Sequence, residues 1–334
     1  MTESFPSPPP IDDGLVYDLL YRRFAAPTAA LAQEVGLCQQ LARPQTHAAL
    51  AESLRLPLRT AETMVAVVAA LGFARRTGDE TYELNDAGRA YLLADSPYCR
   101  TVCPRDDALL TELRAAFPFE TPARPFAVAM DRLSDDDLRA FIGRMDAITL
   151  SAAGSLARQP LFAHVRRLLD VGAGSGSLSC AVAAAHSHIR CTLMDLPAVC
   201  AIAGAKTAAY GLDHRVTTQG ADMFDDPWPA GHDAVLFGNI FHDWDRDSCA
   251  RLAGLAFSAL EPGGHILLHE MPLSEGKDGP LTVACLSVAM LMHEKGKQYT
   301  TSELAELLAG AGFVDVARCP SHAYYHLISA RKPG

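Results

Sequence analysis

From about residue 163 onward, short apolar runs alternate with longer stretches in which apolar positions return every three or four residues. The segments 166–172, 190–195, 215–221, 232–238 and 265–270 read as candidate strands, and the stretches between them have helical spacing. Such alternation predicts a parallel sheet with helices on both faces, a doubly wound α/β domain. The last run, Tyr324 to Ala330, predicts a closing strand, placed antiparallel.

The N-terminal part follows another rhythm. Residues 14–41 carry helical spacing. A short helix over 46–54 and a second from Thr60 to Leu71 flank a break at Leu56-Pro57. Residues 72–84 then read as two short strands about a Gly78-Asp79 turn, a hairpin signal. Helix, turn, helix and hairpin make a winged-helix pattern. A DNA reader needs basic residues on its second helix. Here the second helix has none inside it and carries Glu62, and Arg75 and Arg76 on the hairpin are followed by Asp79, Glu80 and Glu83. The pattern therefore favours a structural or dimerising domain. Residues 101–160 read as a helical connector contributing to a substrate pocket. Phe117-Pro118-Phe119 and Pro125-Phe126 interrupt it, with rings read as core packing. The expected division is a proline-rich flexible tail over 1–11, a winged-helix-like domain over 12–100, the connector over 101–160 and the sheet domain over 161–334.

Bulk properties narrow the class. At 334 residues and 49% hydrophobic content the chain is long and apolar enough for two cores. A net charge of −10 argues against a general nucleic-acid surface. Its nine cysteines are scattered without a Cys-x-x-Cys pair, as in free thiols of a reducing compartment. With no signal-peptide pattern and no membrane-length apolar run, the expectation is a soluble cytoplasmic protein without a membrane partner.

The candidate chemistry begins at Leu168-Leu169-Asp170-Val171-Gly172-Ala173-Gly174-Ser175-Gly176. A strand ends in an acid, then in glycines, then in a helix. Glycine permits the sharp turn and the close ligand approach, and the helix start offers free N–H groups. A dinucleotide fingerprint would read Gly-x-Gly-x-x-Gly. Here the third glycine comes one residue early and Asp170 precedes the loop, which points to S-adenosylmethionine (SAM) rather than NAD. Three further strand ends carry polar groups. Asp195 ends the second strand and is placed to accept both ribose hydroxyls of an adenosine. Gly220-Ala221-Asp222-Met223-Phe224 ends the third, with Asp222 for the adenine amino group and Met223 and Phe224 flanking the ring. Gly238-Asn239 ends the fourth. Carboxyl ends of adjacent strands are where open α/β sheets bind ligands.

These segments, with Met194-Asp195-Leu196-Pro197, Phe241-His242-Asp243-Trp244, Leu260-Glu261-Pro262-Gly263-Gly264 and Gly296-Lys297-Gln298-Tyr299-Thr300, resemble the SAM-dependent small-molecule O-methyltransferases of the caffeate and hydroxyindole type. The C-terminal half carries the resemblance, and the N-terminal half matches only in its winged-helix pattern, which in that family is a dimerisation domain. The resemblance implies a class I methyltransferase fold, SAM as cofactor with S-adenosylhomocysteine as product, a homodimer, and a small aromatic or polyketide-like acceptor in secondary metabolism. It implies that Gly172, Gly174, Gly176, Asp195, Leu196, Asp222, Met223, Phe224 and Asn239 hold the cofactor. It implies His242 as general base, held by Glu270 at the end of the fifth strand. Arg144, Met145, Asp243, Met290 and His293 would line the acceptor. The family often has a second carboxylate in the Gly-Lys-x-x-Thr segment. This chain has Gln298, which hydrogen-bonds an imidazole without stabilising its charge. The family's usual Lys or Ser before His-Asp-Trp is Gly238. His265 and His269 lie near Glu270, but their spacing gives no metal site. Carbon methylation or a non-methylating use of SAM on the same fold, and a ligand-sensing winged-helix regulator, are the competing readings.

Overall fold

In a computed structural model, which describes residues 3–7, 9–118, 130 and 133–334, the chain folds around two sheets. The N-terminal part is helical: α1 (Gly14–Tyr21), α2 (Ala25–Glu34) and α3 (Leu37–Gln40) precede a short strand β1 (Gln45–Thr46). The helical spacing over 14–41 is thus cut into pieces, and the second cut falls at Gly36, whose φ of +83° reverses the chain. Helices α4 (His47–Leu54) and α5 (Leu58–Ala70) follow, then strands β2 (Ala74–Gly78) and β3 (Thr81–Leu84) and helix α6 (Asp86–Leu92). Strands β1, β3 and β2 form the small antiparallel sheet in that order, so the expected hairpin is present.

Helix α5 occupies the place of a recognition helix and begins at Leu58, two residues before the expected start, so the expectation of no basic residue inside it is corrected: it holds Arg59. Yet the helix, Arg59 included, is buried along most of its length and packs against a C-terminal helix. That burial removes the surface a DNA-reading regulator would need.

The connector holds α7 (Ala108–Ala116) and a long α8 (Asp135–Ala157). Ser134 caps α8, with its hydroxyl accepting from the Asp137 N–H, and Asp135, Asp136 and Asp137 favour the helix start. Phe117 is buried in the N-terminal core, while Phe119, Pro125 and Phe126 lie outside the described residues.

The large sheet is built from β4 (Arg167–Val171), β5 (Arg190–Asp195), β6 (Val216–Gly220), β7 (His232–Gly238), β8 (Leu260–Glu270), β9 (Val314–His322) and β10 (Tyr325–Arg331). Its order is β6-β5-β4-β7-β8-β10-β9, parallel from β6 to β8, with β10 antiparallel to both neighbours. Helices α9 (Ser177–Ala185), α10 (Pro197–Ala209), α11 (Arg246–Ala259), α12 (Leu281–His293) and α13 (Thr301–Gly310) connect or cover the strands. Each strand predicted from sequence is present. Strand β8 starts earlier than expected, at Leu260, and β9 escaped prediction. It is an edge strand, exposed along most of its length and holding Pro320, so it shows no apolar run. The described tail is also less free than expected: the Glu3 N–H donates to the Ala209 carbonyl at 2.9 Å and the Phe5 ring meets Tyr210 edge-on.

The two halves share one core. Val283, Ala284, Leu286 and Val288 of α12 pack in the same apolar cluster as Met64, Val65 and Val68 of α5. Beside this seam lies a half-buried group of charges, in which Glu62 of α5 pairs with Lys277 and Lys297, and both lysines also pair with Glu303 of α13. Burial alone would raise the Glu303 pKa, but Lys297 and Lys277 outweigh it and hold it down to about 2. A carboxylate depressed in the folded state contributes stability above its unfolded pKa of about 4.3 and loses it as pH falls toward 2. Glu303→Gln should therefore cost on the order of 3 kcal/mol at pH 7 and progressively less below pH ~4.5, measured by urea unfolding. A difference from wild type that does not change with pH would refute this account.

Candidate functional site

At the carboxyl ends of β4, β5 and β7 a cavity of about 1230 Å³ opens between the sheet, α8 and α12. It is larger than an ordinary single-ligand pocket, with room for a cofactor and a second molecule. One end is built by the strand ends. The glycine loop after β4 carries positive φ at Gly172 (+67°), Gly174 (+55°) and Gly176 (+76°). These glycines do different work. A Cβ on Gly172 would sit 2.4 Å from Ile240 Cδ1, and one on Gly176 would sit 2.5 Å from Leu193 Cδ1. A Cβ on Gly174 would meet nothing within 4 Å, so the backbone there faces open cavity. Gly172 and Gly174 line the cavity and Gly176 does not. Gly176 stands at the start of α9 and packs the loop onto β5.

Asp195 closes the loop from β5. Its Oδ2 accepts the Gly174 N–H at 2.8 Å and its Oδ1 accepts the Leu196 N–H at 2.7 Å. Burial raises its pKa, and these two donors pull the other way. Asp222 uses Oδ1 to accept the Phe224 N–H at 2.7 Å, which shapes the turn presenting Met223 and Phe224 to the cavity. Phe224 lies edge-on to Trp244, with ring centroids 4.6 Å apart, and under the Arg251 guanidinium. Leu196 and Asn239 also line this end. Asn239 holds φ +59°, a conformation asparagine tolerates better than most side chains. Gly238, where the family has Lys or Ser, is crowded: a Cβ would lie 2.3 Å from Leu178 Cδ1.

An unanticipated clamp braces the loop from outside the sheet. Asp146 of α8 accepts from the Ser175 hydroxyl at 2.7 Å, from the Ser177 hydroxyl and from Lys206 of α10. Burial opposes the carboxylate, but the lysine and hydroxyl donors hold the Asp146 pKa below the usual range. Sequence spacing gave no sign of it, because its members lie on three helices and a loop, spread over 60 residues.

The other end of the cavity centres on His242. Its Nδ1 lies 2.6 Å from Glu270 Oε2, and Glu270 Oε1 accepts the backbone N–H groups of Ile240 and Phe241 at 3.0 and 2.9 Å. The pair is nearly sealed, with side-chain exposures of 11% and 4%. In the neutral imidazole the carboxylate favours the proton on Nδ1 and leaves Nε2 with its lone pair. Nε2 is 3.4 Å from Asp243 Oδ1. Asp243 is not the helix cap: Asp245 caps α11, accepting the Ser248 N–H at 2.8 Å. Burial pulls the His242 pKa down, but Glu270, Asp243 and Glu294 more than reverse it, raising it to about 9. Burial raises the Asp243 carboxyl in turn.

Gln298 is buried behind Glu270 and His242. Its backbone N–H donates to Ser287, but its side-chain amide nitrogen has no hydrogen-bond partner. The expected second support from this segment is therefore replaced by Asp243 and Glu294 as the additional acids near the imidazole. Arg144, Met145, Met290 and His293 all line the cavity, joined by Tyr21, Met130, Phe141, Met271 and Tyr325, which sequence reasoning missed. Arg144 and Met145 sit within α8, inside the helical connector. His269 is buried with Nε2 3.0 Å from Ser321 Oγ. Among the described residues no group of three or more potential metal ligands is found.

The model for the O-methyltransferase domain matches residues 125–314. Over 310 residues the chain is 31% identical to a 3-hydroxy-5-methyl-1-naphthoate 3-O-methyltransferase of Streptomyces sahachiroi, covering 90% of each protein. It is 28% identical over 263 residues to an S-adenosyl-L-methionine-dependent methyl transferase of a Serratia species, covering 74% of each. The crystal structure of an O-methyltransferase family 2 protein from Planctomyces limnophilus, complexed with apigenin, superposes with a TM-score of 0.88 at 26% identity, over 99% of both chains. The chain belongs to the O-methyltransferase family; it is a SAM-dependent O-methyltransferase with a class I methyltransferase fold.

The glycine geometry yields a paired prediction. Gly174→Ala should weaken S-adenosylhomocysteine binding at least tenfold in calorimetry, because its Cβ enters the cavity. Gly176→Ala should instead lower the melting temperature more than it lowers affinity, because its Cβ collides with Leu193. Equal effects of the two substitutions on both readouts would refute the assignment.

Proposed function

We propose that this enzyme methylates a hydroxyl of a small aromatic or polyketide-like acceptor, with His242 as general base and Glu270 as the group that orients it. The observation that carries the reading is the 2.6 Å contact of His242 Nδ1 with Glu270, which leaves Nε2 at the cavity wall. SAM supplies a methyl group on a sulfonium, already activated for in-line displacement by an oxygen nucleophile. Gly172, Gly174, Asp195, Leu196, Asp222, Met223, Phe224 and Asn239 are the residues that would hold it. The open cradle at Gly174 and the partly buried Asp195 carboxylate fit an adenosine-bearing ligand.

His242 Nε2 takes the hydroxyl proton as the acceptor oxygen becomes nucleophilic. The imidazolium so formed is stabilised by Glu270, as a carboxylate stabilises the base of a catalytic triad. Asp243 and Glu294 add to that stabilisation. The rest of the wall positions the ring. Met145, Met271 and Met290 suit a flat, polarisable acceptor, because thioethers adapt to aromatic faces. Acceptors of this kind are named for the naphthoate-methylating relative and for the apigenin complex.

We also place a second copy of the chain on α1 and assign 12–100 to dimerisation. The outward face of α1 leaves Leu15 and Leu19 80% and 81% exposed, with Ile11 and Val16 beside them. An apolar strip of this size on a helix is a common mark of a protein interface. The inward face of the same helix presents Tyr21 to the cavity.

His242→Ala should lower kcat by roughly 10²–10⁴-fold without a matching loss of S-adenosylhomocysteine affinity. In wild type, kcat/KM should rise with pH up to about 9, since the base is the neutral imidazole and its pKa is raised. Asp243→Asn should move that limb to lower pH. A flat profile, or full turnover in His242→Ala, would sink the base assignment. For the dimer, Leu15→Asp with Leu19→Asp should give a monomer in sedimentation at micromolar concentration. An unchanged sedimentation coefficient would exclude α1 from the interface.

A further inference from the structure

Arg59 lies on α5, in the half of the chain remote from the glycine loop, yet it is only 8% exposed and its guanidinium reaches into the C-terminal half. Its Nη1 donates to the carbonyls of Glu294 and Gly296 at 2.8 and 2.6 Å, and its Nη2 donates to the carbonyl of Leu291 at 3.1 Å. These carbonyls lie at and just beyond the C-terminus of α12, where the helix leaves acceptors without intrahelical partners and the dipole favours a cation. The segment so gripped grips the base loop in turn. The Lys295 and Gly296 N–H groups both donate to the backbone carbonyl of Asp243, at 3.1 and 3.0 Å. A Cβ on Gly296 would lie 2.1 Å from the His242 carbonyl oxygen, so the two backbones are in direct apposition. Glu294, whose carboxylate acts on His242, sits in the same segment.

We propose that Arg59 is a positioning residue, which fixes the 294–296 segment against residues 242–243 and thereby sets the place of the His242 ring among its carboxylates. The N-terminal half thus contributes to the chemistry through a side chain that touches neither cofactor nor acceptor. The inference rests on the reading of His242 as base. The alternative is a purely structural arginine, whose loss weakens the seam between the halves without altering the imidazole. Glu62, three residues along the same helix, provides the comparison, because it joins the same seam through Lys277 and Lys297 and donates nothing to the 291–296 carbonyls.

The test is an NMR titration of ¹⁵N-histidine-labelled full-length enzyme saturated with S-adenosylhomocysteine, in wild type, Arg59→Met, Arg59→Lys and Glu62→Gln. The groups facing the ring are Glu270 from β8, Asp243 from its own loop and Glu294 from the end of α12. Loosening the last two should lower the His242 midpoint in Arg59→Met by about half a unit or more, roughly threefold in the protonation constant. Arg59→Lys, which keeps the charge but not the planar fork, should fall between. Glu62→Gln should leave the midpoint in place while lowering the melting temperature. S-adenosylhomocysteine affinity should stay within about twofold throughout. An unmoved midpoint in Arg59→Met, or an equal shift in Glu62→Gln, overturns the proposal. If Arg59→Met does not fold, Arg59→Lys against Glu62→Gln decides by the same criterion. Failure of the base reading is seen separately, as undiminished turnover in His242→Ala.

Discussion

The Glu270 carboxylate is the joint on which the acceptor end of this molecule turns. One oxygen takes two backbone N–H groups of the loop after β7, and the other holds His242 Nδ1. The same side chain therefore fixes the loop and the ring it carries. Its position follows from the parallel sheet. Strands β7 and β8 are hydrogen-bonded neighbours with Gly238 opposite His269, so their carboxyl ends finish side by side. The acid at the end of one then lies beside the loop leaving the other. An alteration that slipped this register by one residue would turn Glu270 to the opposite face of the sheet.

That arrangement has an electrostatic consequence. His242 is nearly buried, which disfavours its charged form, yet Glu270, Asp243 and Glu294 together favour it. The acids win because they are close and share the same low-dielectric surroundings, where charge interactions are stronger than in water. A base with a raised pKa holds a proton firmly once it has taken it, and is scarcer in its neutral form near pH 7. The surroundings of His242 therefore favour the imidazolium and leave a smaller neutral fraction near pH 7.

Much of this was legible in the sequence where local pattern and chemistry coincide. The glycine loop, Asp195 and Asp222 each stand at the end of a predicted strand, so period and residue type placed them together, whereas the His242–Glu270 pair came from the family resemblance. Two features resisted for opposite reasons. Gly176 looked like its neighbours, but only the three-dimensional packing shows how closely it approaches Leu193 of β5. Asp146, Tyr21 and Tyr325 reach the cavity from elements distant in sequence, and no spacing rule connects them. Strand β9 was missed because an exposed edge has no buried face to write into the sequence. Gln298 was read in its correct place near the histidine, but the acids compensating for it, Asp243 and Glu294, emerged only from the fold.

Helix α5 shows why pattern alone could not assign the N-terminal half. Helix, helix and hairpin is the same string whether the second helix reads DNA or packs on a partner. What distinguishes the two is where its polar side chains go. In this chain Arg59 and Glu62 both turn inward, toward backbone carbonyls and lysines of the catalytic half. A buried charge that loses its partner costs several kcal/mol, so such residues are strongly constrained once the interface exists. The same two residues on an exposed helix would be ordinary surface charges of little energetic consequence. Burial of α5 against α12 therefore does more than join two cores. It converts a motif associated elsewhere with binding nucleic acid into part of the wall behind the imidazole, and ties residues 291–296 to the N-terminal half through Arg59.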